Sequence, residues 1–155
     1  MDDPIYIGID PGANGAAVAI WQNGAVDSFP LSATKAGLLQ WLRSICESGP
    51  TLIAVESNTG YVGDGGNPGS AMFKFGRITG ICEMAVVAAW GQEPIMVHSR
   101  RWQNDLGINP KAKDETRQRF KARLKSEANR LLSRGLTLKD CDAALIALWL
   151  KRGGR

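Results

Sequence analysis

Three carboxylates stand out by where they fall along the chain. Asp10 closes the run Ile5–Ile9 and opens the turn D-P-G-A-N-G. Glu56 closes the run Thr51–Val55. Asp142 opens the apolar run D-A-A-L-I-A-L-W-L. A carboxylate at the end of a buried strand is well placed to hold a divalent metal against a phosphate. Carboxylates suit hard ions such as Mg²⁺ and Mn²⁺, whereas cysteine and histidine favour zinc. The plain alternative for Asp10 is a side chain that only shapes its turn. Each acid alone is unremarkable. The strand-then-acid arrangement, met twice, raises the expectation of a shared metal centre. Asp142 is a charge in the first turn of a helix that is apolar nearly all round and therefore buried. Such a carboxylate needs a partner, either a metal or a basic side chain in an ion pair.

The elements that must position these acids follow from pattern. Ile5–Ile9 and Ala16–Ile20 flank Asn14-Gly15, a hairpin signal, and Asn23-Gly24 turns the chain into a third strand, Ala25–Phe29. Ser32 is placed to cap a helix from Ala33 to about Ser48, with Leu38, Trp41, Leu42 and Ile45 on one face. Thr51–Val55 is β-prone without alternation, so a strand covered on both faces is expected. After a helical crossover it should lie parallel to the first strand, which puts Glu56 and Asp10 at one sheet edge. Residues 57–70 hold five glycines and read as a long functional loop. Its aromatic, Tyr61, is placed either to stack on an exposed base or to pack the loop down.

A long helix, Ala71 to about Trp90 with Ser70 as cap, carries Gly76 and Gly80 four apart, which permits close approach of another backbone. Pro94–Val97 reads as a fifth strand. S-R-R-W-Q-N-D-L-G-I follows as a short helical turn bearing Arg100 and Arg101, anchored by Trp102 and Leu106. His98 reads as structural or as a phosphate contact rather than a catalyst. Lys111–Ser133 reads as a basic helix with Phe120, Leu124, Ala128 and Leu131 as its narrow apolar face. Thr137 and Asp140 have the spacing of a capping box before the last helix.

Composition narrows the classes. The 155 residues suit one domain, and the hydrophobic fraction of 44% suffices for a core. No apolar run approaches the ~20 residues of a membrane helix. M-D-D-P does not open like a signal peptide, and Cys46, Cys82 and Cys141 are odd in number and widely spaced. A cytoplasmic protein without structural zinc is expected. The net charge of +4 is unevenly spread. Lys111 to Arg134 holds nine Lys/Arg against three Asp/Glu, while the remainder holds ten against twelve. A cationic segment on a near-neutral body suggests a polyanionic partner, the bland alternative being a solvated helix face.

Strand-Asp, meander, helix, strand-Glu, helix, strand, helix and helix-Asp is the element order of the RNase H-like fold. Within it, I-G-I-D-P-G-A-N-G-A, A-V-E-S-N, S-A-M-F-K-F-G-R-I-T-G, S-R-R-W-Q-N-D-L-G-I and C-D-A-A-L-I-A resemble the RuvC-type Holliday junction resolvases, particularly small phage and prophage members. The five pieces occur in the family's order and span Ile5 to Ala147. The resemblance implies an α/β fold with a five-stranded mixed sheet in a single nuclease domain. It implies a cytoplasmic homodimer that cuts four-way DNA junctions with paired nicks. Asp10, Glu56 and Asp142 match the family's metal-binding acids. A fourth acid is usual a few residues before the last; here Lys139 stands three before Asp142, and Asp140 two before. Asp140 is either that fourth ligand or only a capping residue. Two Mg²⁺ or Mn²⁺ ions, bridged by Asp10 and about 3.5–4 Å apart, would serve in-line phosphodiester hydrolysis.

Binding is expected from Arg100, Arg101, Lys111, Lys113 and Arg117 on phosphates, with Tyr61 in the loop, and the Ala71–Trp90 helix as the dimer contact. Three rivals remain. A sugar-kinase or actin-like ATPase also starts with a strand-D-x-G turn, but needs two such domains and a nucleotide cofactor, for which 155 residues without a repeat have no room. A non-catalytic junction-binding module would be suggested by loss of a core acid, and all three are present. Another RNase H-like nuclease, acting on other branched DNA or on RNA–DNA hybrids, stays open.

Overall fold

The computed structural model describes residues 4–12, 14–57 and 68–155. Tyr61, and with it the expected base-stacking contact, lies outside the described residues. Five strands form one sheet: β1 (Ile5–Ile9), β2 (Ala16–Ile20), β3 (Val26–Pro30), β4 (Thr51–Ser57) and β5 (Ile95–His98). Their order is β3-β2-β1-β4-β5. The first three make the expected antiparallel meander, and β4 and β5 add in parallel on the other side of β1.

Helices cover both faces. On one side lie α1 (Lys35–Glu47) and α2 (Pro68–Trp90); on the other lie α3 (Ser99–Asp105), α4 (Arg117–Leu132) and α5 (Cys141–Lys151). Ile5, Ile7 and Ile9 of β1, with Ile53 and Val55 of β4, pack with Leu38, Leu42, Cys82 and Val86 of the first pair. Tyr6 and Ala54 face the opposite way and pack with Leu145, Ile146 and Trp149 of α5. Strand side chains alternate with period two. Asp10 is therefore in phase with Tyr6, Glu56 is in phase with Ala54, and both acids turn toward the α5 layer.

Gly8 is what lets α5 settle there. A Cβ at this position would fall well inside van der Waals contact of the Ala143 carbonyl and the Ala147 amide. With glycine on the strand, and Ala143, Ala144 and Ala147 all fully buried on the helix, the two backbones approach directly. The first turn of α5 is thereby brought to the end of β1.

Several expected boundaries shift, each for a local reason. The cap of α1 is Thr34 rather than Ser32: its hydroxyl accepts from Gly37 N–H at 3.0 Å. The α2 helix begins at Pro68, a residue suited to a first turn because its missing N–H needs no partner there. The basic helix is shorter than Lys111–Ser133. It starts at Arg117, where the Thr116 side chain accepts from Arg119 N–H. The preceding segment is held instead by Arg123, which donates to the Asn109 and Pro110 carbonyls and pairs with Glu115 at 2.9 Å. The last helix starts at Cys141; Asp140 occupies its cap position without a side-chain cap bond.

Candidate active site

The register of the parallel pair β1–β4 sets the first half of the site. Ile9 aligns with Val55, so the next residues, Asp10 and Glu56, leave adjacent strands at the same edge. The third acid, Asp142, comes from the opposite layer, in the first turn of α5, where a negative charge also suits the helix dipole. Glu56 and Asp142 are buried, at 8% and 6% exposure. Asp10 is partly buried, and the Gly12 backbone N–H hydrogen-bonds to it.

Two of the carboxylates feel their neighbours. Burial, then the charge of Asp142, pushes the Asp10 carboxyl up to about 6. Burial, then the charge of Asp10, pushes Glu56 up to about 8, with Asp142 adding in the same direction. Protein donors offset part of this. The indole Nε1–H of the fully buried Trp102 donates to Glu56 Oε2 at 2.9 Å. Lys121 donates its ammonium to Asp142 Oδ2, and the Cys141 thiol, with one proton to give, stands 3.3 Å from both Asp142 Oδ1 and the Leu138 carbonyl. Burial works against the charge of Lys121, but the ion pair with Asp142 outweighs it and holds the ammonium protonated beyond its ordinary range.

Lys121 and Trp102 are the two side chains in contact with these acids that the sequence pattern assigns to other roles or passes over. Trp102 was expected as an anchor for the short helix. It is buried there as expected, yet its polar atom is spent on Glu56. Lys121 carried a signal that periodicity could have exposed. It stands three residues before Leu124 and seven before Ala128, both buried, so it continues the inner stripe of α4. A cation on that stripe calls for a buried acid. Asp142 thus has the ion-pair partner that its burial required.

The other expected residues separate. Asp140 is turned toward the segment before the helix: its carboxylate accepts from the Thr137 hydroxyl at 2.5 Å. His98 caps α3, its Nδ1 accepting from Arg100 N–H at 3.3 Å. Because His98 aligns with Ser57, α3 sets out from the same sheet edge as Glu56, and it carries Arg100 and Arg101 there, both exposed. Arg117, in the first turn of α4, is exposed and its charge reaches Asp10. Lys113 is exposed; Lys111 is exposed and donates to the Glu115 carbonyl at 2.9 Å. Part of the positive segment is spent internally. Arg123 holds its own loop, Arg130 pairs with Glu127, and Arg134 donates to the Gly24 carbonyl.

The donor set is all oxygen and carries more negative charge than its one ammonium balances, which fits a hard divalent cation. Its arrangement is not a closed cage: among the described residues no three His, Cys, Asp or Glu side chains converge as a metal-holding group. Two of the acids are instead turned to protein donors, Glu56 to Trp102 and Asp142 to Lys121.

No family model and no curated protein matches this chain. Solved structures do. A RuvC structure from Thermus thermophilus shares 18% identity over 96% of both chains, with a TM-score of 0.58. T. thermophilus RuvC in complex with a Holliday junction substrate shares 16% identity, with 97% of this chain and 96% of that one covered and a TM-score of 0.61. The chain has the RNase H-like α/β fold of these RuvC structures, as the sequence resemblance implies. Among the described residues no helix is long and apolar enough to cross a membrane.

Proposed function

We propose that this protein is a metal-dependent endonuclease that resolves four-way DNA junctions by hydrolysing phosphodiester bonds. One observation carries the reading: Glu56 and Asp142, both buried, and the partly buried Asp10 meet at one end of the sheet although they lie far apart in sequence, and the charge of Asp142 acts on Asp10 and that of both on Glu56. Such a concentration of carboxylate, compensated by a single ammonium, costs stability and serves a cation. Asp10, Glu56 and Asp142 would hold Mg²⁺ or Mn²⁺. The bound metal would activate water and neutralise the leaving 3′ oxygen.

The chain's own residues supply the rest. Trp102 fixes the orientation of Glu56 through its indole N–H. Gly8 sets the depth at which α5 presents Asp142. Arg100, Arg101, Lys111, Lys113 and Arg117 would neutralise phosphates around the rim, a contact set that reads backbone rather than base sequence. Support for a junction over another branched substrate comes from the solved complex of T. thermophilus RuvC with a Holliday junction substrate. A homodimer would present two such sites to a two-fold-symmetric junction. The α2 helix supports this arrangement. Phe73, Gly76, Gly80 and Met84 share one helical face, with Phe73 71% and Met84 64% exposed, and nothing lies against either glycine.

The test compares labelled four-way junctions, flaps, RNA–DNA hybrids and plain duplex, with Mg²⁺ and with chelator. Symmetric nicks in the junction alone, abolished by chelator and by Asp10→Asn while junction binding persists, are expected. Normal cutting by Asp10→Asn with Mg²⁺ would refute the site; cutting of hybrids in preference to junctions would refute the substrate.

A further inference from the structure

We propose that this centre takes one divalent ion per protomer, and that the ammonium of Lys121 supplies the second positive charge by standing on Asp142. The inference deepens the nuclease reading and rests on it. It replaces the pair of ions that the family resemblance implies.

Three observations lead there. The first is the donor count. The position of the usual fourth acid is filled by Lys139 or, two residues before Asp142, by Asp140, and Asp140 is bonded to Thr137 instead. Three carboxylates remain. The second is the occupancy of Asp142. Its Oδ2 accepts from Lys121, while the single proton of the Cys141 thiol lies within reach of both Oδ1 and the Leu138 carbonyl, each at 3.3 Å, so at most one oxygen of Asp142 is open to an ion. That leaves Asp10 and Glu56, at adjacent strand ends, and one oxygen of Asp142 as the carboxylate donors for an ion. One or two carboxylates completed by water and substrate phosphate is an ordinary Mg²⁺ site. The third is charge. Three carboxylates and one ammonium leave two negative charges, which one divalent ion neutralises. A second ion would leave the buried cluster strongly positive, and buried charge without a partner is costly.

Lys121 is held in this role by the helix that carries it. Its stem lies on the inner stripe of α4 above Leu124, and its side chain is 34% exposed against 9% for that of Asp142. The ammonium therefore approaches from the open side of the site, from which phosphate also must come. Its field reaches Asp10 and Glu56 as well as Asp142. In this position it would assist by charge alone and would compete with a metal for the same carboxylates.

The test is metal binding by the full-length chain without DNA, so it does not depend on cutting. Mn²⁺ is titrated into wild type, Lys121→Gln and Lys121→Arg, with free Mn²⁺ followed by electron paramagnetic resonance and folding checked by circular dichroism. One Mn²⁺ per protomer is expected for wild type. Removing the competing charge should tighten binding on the order of tenfold in Lys121→Gln, or admit a second ion, while Lys121→Arg stays close to wild type. Two ions bound by wild type would overturn the inference, as would unchanged or weaker binding by Lys121→Gln. The stoichiometry of wild type decides alone if the variants do not fold. If wild type binds no Mn²⁺, the metal-dependent nuclease reading fails along with the inference. A lysine that was only structural would change the melting temperature and leave Mn²⁺ affinity where it was.

Discussion

Glu56 should make the metal-free protein lose stability as pH rises, and Glu56→Gln should remove that loss. The carboxyl is pushed from its ordinary 4.5 up to about 8 by burial and by Asp10. In the folded protein it therefore keeps its proton through neutral pH, while in the unfolded chain it has already lost it. Native protein binds more protons than unfolded protein throughout that window, so stability falls with rising pH. The fall starts near the unfolded value and is complete above the folded one. The full shift corresponds to about 5 kcal/mol, of which about 2 kcal/mol falls between pH ~6 and ~8. The upper window isolates Glu56, because Asp10, pushed up only to about 6, titrates below it. Glutamine has the same shape, and its amide oxygen can still accept from Trp102. The assay is urea unfolding in chelator at pH values across this window. Wild type should weaken steeply and Glu56→Gln should stay nearly flat, becoming the more stable of the two at the alkaline end. Adding Mg²⁺ at the alkaline end should rescue wild type and do little for the variant. An equal pH slope in the two proteins would refute the claim that Glu56 is buried under the pressure of neighbouring charge.

Two further outcomes follow from the geometry. Gly8→Ala places a methyl against the backbone of α5, which cannot yield as a side chain could; a loss of about 3 kcal/mol or more in urea unfolding is expected, and a loss within error would mean that α5 does not lie on β1 as described. Reversing Arg100, Arg101, Lys113 and Arg117 together should weaken junction affinity and flatten its dependence on salt, measured by fluorescence anisotropy over a range of ionic strength; an unchanged slope removes these residues from the interface.

The chain wrote much of this fold in its short-range pattern. Asn23-Gly24 marked the turn from β2 to β3, where Gly24 takes a φ of 84° that few other residues adopt, whereas Asn14-Gly15 ends a longer link from β1 to β2 and Gly15 needs no such φ. The unbroken run Thr51–Val55 marked a parallel strand covered on both faces except at the exposed Leu52, and the two strand-end acids followed from it. The helix Asp142–Leu150, apolar all round, declared its own burial. These features are local, and local chemistry is sufficient to specify them.

Tertiary structure alone decided which groups share the site. Sequence placed Asp142 among residues needing a partner and left metal and basic side chain both open; the fold put Lys121 on it, from a helix that ends at Leu132, before the chain reaches α5. Spacing left Asp140 between ligand and cap, and only the course of the chain into α5 turned it to Thr137. Trp102 read as a hydrophobic anchor because nothing in its neighbourhood along the chain mentions Glu56, forty-six residues away. Periodicity reports which side of an element faces inward. It does not report what stands opposite, because that depends on how separate elements pack, here on a glycine in β1 that lets α5 come close enough to join its aspartate to the strand-end pair.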